Sequence, residues 1–163
     1  MIANENLNPY ARFIENREPV EIISATAESL SQALAKTSDA QWRQRPRPDK
    51  WSLAEIVCHL ADTEIVFAFR LRQTIAEEHH TCQPFDQDKW ARAYSSTDYK
   101  DALETFIALR RWNVRFIRAL PEKALGKPFS HPERGEMTFS ILVETMAGHD
   151  LNHLAQIETL TRQ

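Results

Sequence analysis

Glycine is scarce. Only Gly126, Gly135 and Gly148 occur among 163 residues, under a third of the roughly 7% usual in proteins. No G-x-G-x-x-G and no G-x-x-x-x-G-K-[ST] is present, which excludes the common dinucleotide and P-loop phosphate sites. Asn-Gly and Asp-Gly are both missing, so the strongest hairpin signal is missing too. Cysteine is equally sparse: Cys58 and Cys82 form neither a CxxC nor a disulfide framework. Reduced thiols and a cytoplasmic setting are therefore expected. No apolar run approaches the ~20 residues that span a bilayer, and the opening MIANENLNPY has no basic stretch or apolar core of a signal peptide. Net charge is -3, which gives no general attraction to nucleic acid or a membrane surface. These absences point to one all-α domain over residues 1–163.

What is present reads as four long helices of about 20–27 residues. A short helix is expected before them, with Asn8 as cap and Pro9 first. The first long helix begins near Pro19 with the stripe Val20, Ile23, Ala27, Leu30, Leu34 and stops in Thr37-Ser38-Asp39. A basic, proline-broken linker with Arg43, Arg45, Arg47 and Lys50 follows. The second helix opens on the capping box Ser52/Glu55, carries Leu53, Ile56, Leu60, Thr63, Phe67 and Leu71, and fades around Glu77–His80. Next comes a long connection, TCQPFDQDKWARAYSST, longer than the usual 2–8 residues of a bundle turn. It is a crossover or a functional loop. The third helix runs from near Asp98 to before Pro121, with Arg110 standing on its apolar stripe. Thr138 caps the fourth, with Phe139, Leu142, Val143, Met146, Ile157 and Leu160. This pattern is a four-helix bundle.

The chemistry lies where the stripes are interrupted. His149 and His153 are four apart on the inward line of the fourth helix, a spacing that puts both imidazoles on one face. His59 sits inward between Ile56 and Thr63 on the second helix. Facing helices approach to about 8–10 Å, so the three can converge on one divalent metal and leave a fourth position open, as catalytic zinc sites do. A lone inward histidine is more often plain core. It is the combination of the pair with a third histidine that favours a metal. The segment HDLNH also resembles H-E-x-x-H, but its second residue is Asp150 and the third histidine lies upstream, so a zinc protease is the weaker reading.

PDKWSLAEIVCHLADTE (48–64), the HPERGEMT approach to the fourth helix and AGHDLNHLAQIE (147–158) strongly resemble the DinB superfamily, the group that includes the YfiT-like metal-dependent hydrolases. The resemblance covers nearly the whole chain. It implies an up-down-down-up bundle, with the long connection crossing between parallel second and third helices. It also implies nickel or zinc held by His59, His149 and His153, and activity on a small molecule. The family members whose activity is known are similar to thiol S-transferases and thiol-dependent isomerases that use a low-molecular-weight thiol. A homodimer is a further implication. An open His₃ site serves thiol transfer or hydrolysis equally well. The alternative is a non-enzymatic, metal-stabilised bundle that works in stress or DNA-damage responses through binding or dimerisation.

Around the metal, Glu55, Asp62, Asp150 and Gln156 are candidates to accept imidazole N–H bonds; for Glu55 the capping box competes. Glu64 has no assignable chemistry. Arg110 is a candidate for an anionic substrate group at the bundle mouth, against snorkelling to the surface. Cys58 is expected to pack, and Cys82 has no evident base beside it. His79 and His80 are expected to end the second helix, and His131 to shape a turn. Trp51 and Trp90 border the expected cleft. Gly148 is anomalous: glycine inside a helix costs about 1 kcal/mol relative to alanine. It is expected to mark a close approach of a neighbouring helix of the bundle, where a side chain would crowd that helix and displace His149.

Overall fold

The computed structural model describes residues 7–162. Residues 1–6 and 163 of the expected domain lie outside them, as does most of the segment bearing on a signal peptide. The described elements in chain order are α1 (Ala11–Ile14), α2 (Pro19–Leu34), α3 (Asp39–Arg43), α4 (Leu53–Ala76), α5 (Gln87–Trp90), α6 (Tyr99–Arg118), β1 (Pro128–His131), β2 (Gly135–Thr138) and α7 (Phe139–Thr161). The long helices are α2, α4, α6 and α7.

Local chemistry sets their ends. Pro19 occupies the first turn of α2, where its missing N–H is no loss. Ser52 and Glu55 form the reciprocal capping box of α4, and Thr138 caps α7 by accepting from the Ile141 N–H. The Asp98 carboxylate caps α6.

Packing then fixes direction. One apolar cluster joins the end of α2 (Leu30, Leu34), the start of α4 (Leu53, Ile56), the start of α6 (Ala102, Phe106) and Ile157 near the end of α7. The other joins the start of α2 (Ile22, Ile23), the later part of α4 (Phe67, Leu71), Ile117 near the end of α6 and the start of α7 (Phe139, Leu142). Hence α2 and α7 run one way, and α4 and α6 the other: up-down-down-up. Both α6 and α7 pack against α2 and α4, which places α2 and α4 on a diagonal.

Several expectations shift. The short first helix starts at Ala11, two residues later than proposed, because Asn8 accepts the Tyr10 N–H and shapes the turn before it. A short helix, α3, runs into the basic linker; a Ser38/Gln41 capping box opens it, and its Trp42 is buried against Tyr99 at 4.2 Å between ring centroids. Three of its cations meet carboxylates: Arg45 with Glu55, and Arg47 and Lys50 with Asp49. Before α7 the helical bundle carries a small β element. Strands β1 and β2 pair antiparallel, and Gly135, the first residue of β2 after the turn, has φ +78°. Residues 80–82 lie alongside, with Ser130 N donating to His80 O and Cys82 N to Ser130 O. His79 and His80 therefore do not end α4, which stops at Ala76. His80 is buried and stacked on Phe129. No described helix is long and apolar enough to cross a membrane.

Candidate metal centre

Helix geometry brings the three histidines together as the spacing requires. His59 comes from α4, and His149 and His153 from consecutive turns of α7. All three are buried, and one ring nitrogen of each lies within 4.8 Å of the others. His59 Nε2 and His149 Nε2 face each other at 3.1 Å. Imidazole–zinc bonds of about 2.0–2.1 Å put neighbouring ligand nitrogens roughly 3 Å apart, so the donor set fits a divalent cation.

Two effects prepare these rings as ligands. Burial disfavours the imidazolium and pushes His59 down to about 3, with His153 adding to the shift, and pushes His153 down to about 4; His149 moves the same way. The rings are therefore neutral at physiological pH, as ligation requires. Gln156 Oε1 lies 3.0 Å from His153 Nδ1. An amide oxygen only accepts, so the ring proton sits on Nδ1 and the Nε2 lone pair stays free.

Aromatic residues enclose the triad. Trp51 tilts over His59 at 4.8 Å, Tyr10 meets His149 edge-on at 5.3 Å, and Phe67 lies 6.1 Å from His149. Gly148 explains the approach of Tyr10. A Cβ there would stand 2.5 Å from the Tyr10 carbonyl oxygen and 2.6 Å from its Cβ. The close approach expected at Gly148 is real, although its partner is the cap of α1 and not one of the long helices. Two cavities meet at the triad. One, about 180 Å³, reaches His59 and His149 from the hairpin side. The other, about 650 Å³, reaches His59 and His153 past Trp51 and Asn152.

Of the candidates for orienting the imidazoles, only Gln156 touches one. The Glu55 carboxylate is consumed by its capping box and by Arg45. Asp62 accepts from the Tyr94 hydroxyl at 2.9 Å. Asp150 points away from the rings and pairs with Arg110, taking a further hydrogen bond of 2.6 Å from Thr26.

Arg110 is a second correction. Its guanidinium is 2% exposed, far from a mouth position. It donates to both oxygens of Glu64 at 3.0 and 2.7 Å and also pairs with Asp150, while Asn113 donates to Glu64 at 2.8 Å. Burial opposes its charge, but the two carboxylates overcome this and hold the guanidinium firmly protonated. This network ties α4, α6 and α7 together beneath the triad and gives Glu64 the role that its sequence position did not reveal.

The remaining residues fall simply. Cys58 is buried, and burial raises its thiol to about 11. Cys82 packs under the hairpin. His131 accepts the Glu133 N–H within the hairpin turn at 3.2 Å. Trp90 packs edge-on against Phe85. Sequence reasoning missed Tyr10, which sits in no periodic stripe. It also missed Arg70, although Thr63 and Arg70 follow His59 at helical spacing on one face of α4.

Comparison with known proteins agrees with this architecture. The family model described as the DinB superfamily matches residues 22–157. A protein of Oceanobacillus iheyensis named "Putative metal-dependent hydrolase" is 30% identical over 122 residues, covering 72% of this chain and 69% of its own. A Bacillus cereus protein of the same name is 24% identical over 149 residues, covering 88% and 84%. Among solved structures, YfiT from Bacillus subtilis superposes with a TM-score of 0.81 at 22% identity, over 88% of this chain and 84% of its own. It is described as "a probable metal-dependent hydrolase with an unusual four-helix bundle topology".

Proposed function

The chain belongs to the DinB superfamily, and from that premise we propose that it is a divalent-metal-dependent hydrolase of a small molecule, with His59, His149 and His153 as the ligands. The observation that carries this reading is the convergence of three buried, neutral imidazoles beside two cavities. Three imidazoles favour zinc or nickel. When bound, the cation supplies Lewis acidity, which brings water toward a pKa of ~7 and deprotonates a thiol outright. The chain's own residues do the rest. Gln156 holds the His153 tautomer, Trp51 and Tyr10 shield the rings from bulk water, and the Arg110 network fixes α4 against α7 so that His59 meets the pair.

A second reading, thiol S-transfer, is favoured by one observation. Two cavities open on the same triad, which gives room for a substrate and a co-substrate, while neither Cys58 nor Cys82 lines them. The thiol would therefore come from a small molecule.

The test strips the protein with a chelator, reloads it with zinc or nickel, and follows chromogenic esters and phosphoesters in parallel with thiol consumption by an electrophile. Metal-dependent turnover that is lost in His149→Ala supports the reading, and the productive assay decides between its two forms. Turnover equal with and without metal contradicts it, as does none with any substrate in fully loaded protein.

A further inference from the structure

The hairpin-side cavity has an electrostatic character that the triad does not explain. Arg70 from α4 and Arg134 from the β1–β2 turn both line it, together with His59 and His149. Both arginines are half-buried, and among the described residues neither is ion-paired with a carboxylate. Arg70 gives one hydrogen bond of 2.8 Å to Gln83 O, in the long connection, leaving most of its five donors free. His131 lines the same wall. Its Nδ1 accepts from Glu133 N, so its proton is on Nε2 and it is a further donor. Glu133 is the one carboxylate at the rim, and it is exposed. Phe67, Phe129 and Leu142 add apolar surface to its lining.

Burial is what lowers Arg70 most, and the Arg134 charge acts in the same direction against an opposing influence of Cys82; two half-buried guanidinium groups lining one cavity with no carboxylate paired to either are costly to hold. They are also the groups best shaped to grip a planar or tetrahedral oxyanion. We propose that Arg70 and Arg134 clamp the carboxylate or phosphate of a small, partly aromatic or aliphatic substrate in this cavity, and so deliver its reacting end to the His59–His149 side of the metal centre. This rests on the metal-dependent reading for the second half of the statement, the delivery. The anion site itself stands on the arginines. A volume of about 180 Å³ matches a benzene-sized body, since an engineered apolar cavity of about 150 Å³ holds benzene.

The test titrates benzoate and phenyl phosphate into metal-free and zinc-loaded protein by calorimetry, with wild type, Arg134→Gln and Arg70→Gln. Zinc affinity is measured on each variant. Binding of either probe by the metal-free wild type, weakened roughly tenfold or more in each variant, with zinc affinity unchanged, is the expected result. Which probe binds identifies the oxyanion. Binding seen only with zinc and indifferent to both substitutions would overturn the clamp while leaving the metal reading intact. Arginine-dependent anion binding in a protein that takes up no zinc would do the reverse. Failure of both probes to bind either form overturns the clamp outright.

Discussion

Replacing Gly148 by alanine separates two opposed energies. An unobstructed glycine-to-alanine change inside a helix stabilises by about 1 kcal/mol. Here the new Cβ would lie 2.5 Å from the Tyr10 carbonyl oxygen and 2.6 Å from Tyr10 Cβ. Both belong to the cap of α1 and its root, not to the far end of a flexible side chain. Overpacking of this kind costs about 1–3 kcal/mol, and backbone obstruction puts the cost at the upper end. Gly148→Ala should therefore lose about 1–2 kcal/mol net, which for a domain of this size lowers Tm by roughly 2–8 °C. Because Tyr10 covers His149, the variant should also expose that ring. The assay is denaturant and thermal unfolding of metal-free protein followed by far-ultraviolet circular dichroism. A gain in stability of about 1 kcal/mol would show that α1 yields freely and would refute the packing argument.

Removing the guanidinium in Arg110→Met leaves Glu64 and Asp150 as facing buried carboxylates; a loss of about 3–5 kcal/mol is expected, and urea unfolding showing less than about 1 would contradict the network. Gln156→Leu removes the bond that fixes the His153 tautomer, so metal affinity measured by chelator competition should fall about 10- to 100-fold while metal-free stability barely changes. Stability of the metal-free protein should also depend on acid. His59 near 3 and His153 near 4 lie below the ordinary 6.5, so the unfolded chain takes up protons first. Stability is greatest above about pH 6.5 and falls toward pH 3–4, by up to about 1.4 kcal/mol per pH unit for each imidazole. A curve flat between about pH 7 and 5, from denaturant midpoints, would contradict burial of the neutral rings.

The convergence of the three histidines was legible because its signals are local and redundant. His149 and His153 share a helix face by spacing, His59 interrupts a stripe, and Ser52/Glu55 and Thr138 fix where both helices begin. Direction of the long helices was legible only through resemblance, since no residue pattern states which helices run parallel. Arg110 was visibly out of place on its stripe. Its partners Glu64 and Asp150, however, stand on two other helices, a relation that periodicity does not encode. The same blindness assigned Asp150 to an imidazole. The β1–β2 hairpin escaped because its turn needs one positive φ, supplied by Gly135 alone, instead of an Asn-Gly pair. Tyr10 escaped because a four-residue helix has no stripe. Arg70 did not have to escape: it lies eleven residues after His59, three turns along the same face.

The central claim is that three buried imidazoles hold one catalytic cation. The most direct measurement is zinc and nickel stoichiometry by metal analysis and calorimetry on wild type and His149→Ala, with Tm recorded on loading. One tightly bound ion per chain, a Tm that rises with metal, and loss of both in the variant are predicted. A wild type that binds no ion and keeps the same Tm with metal present would contradict it.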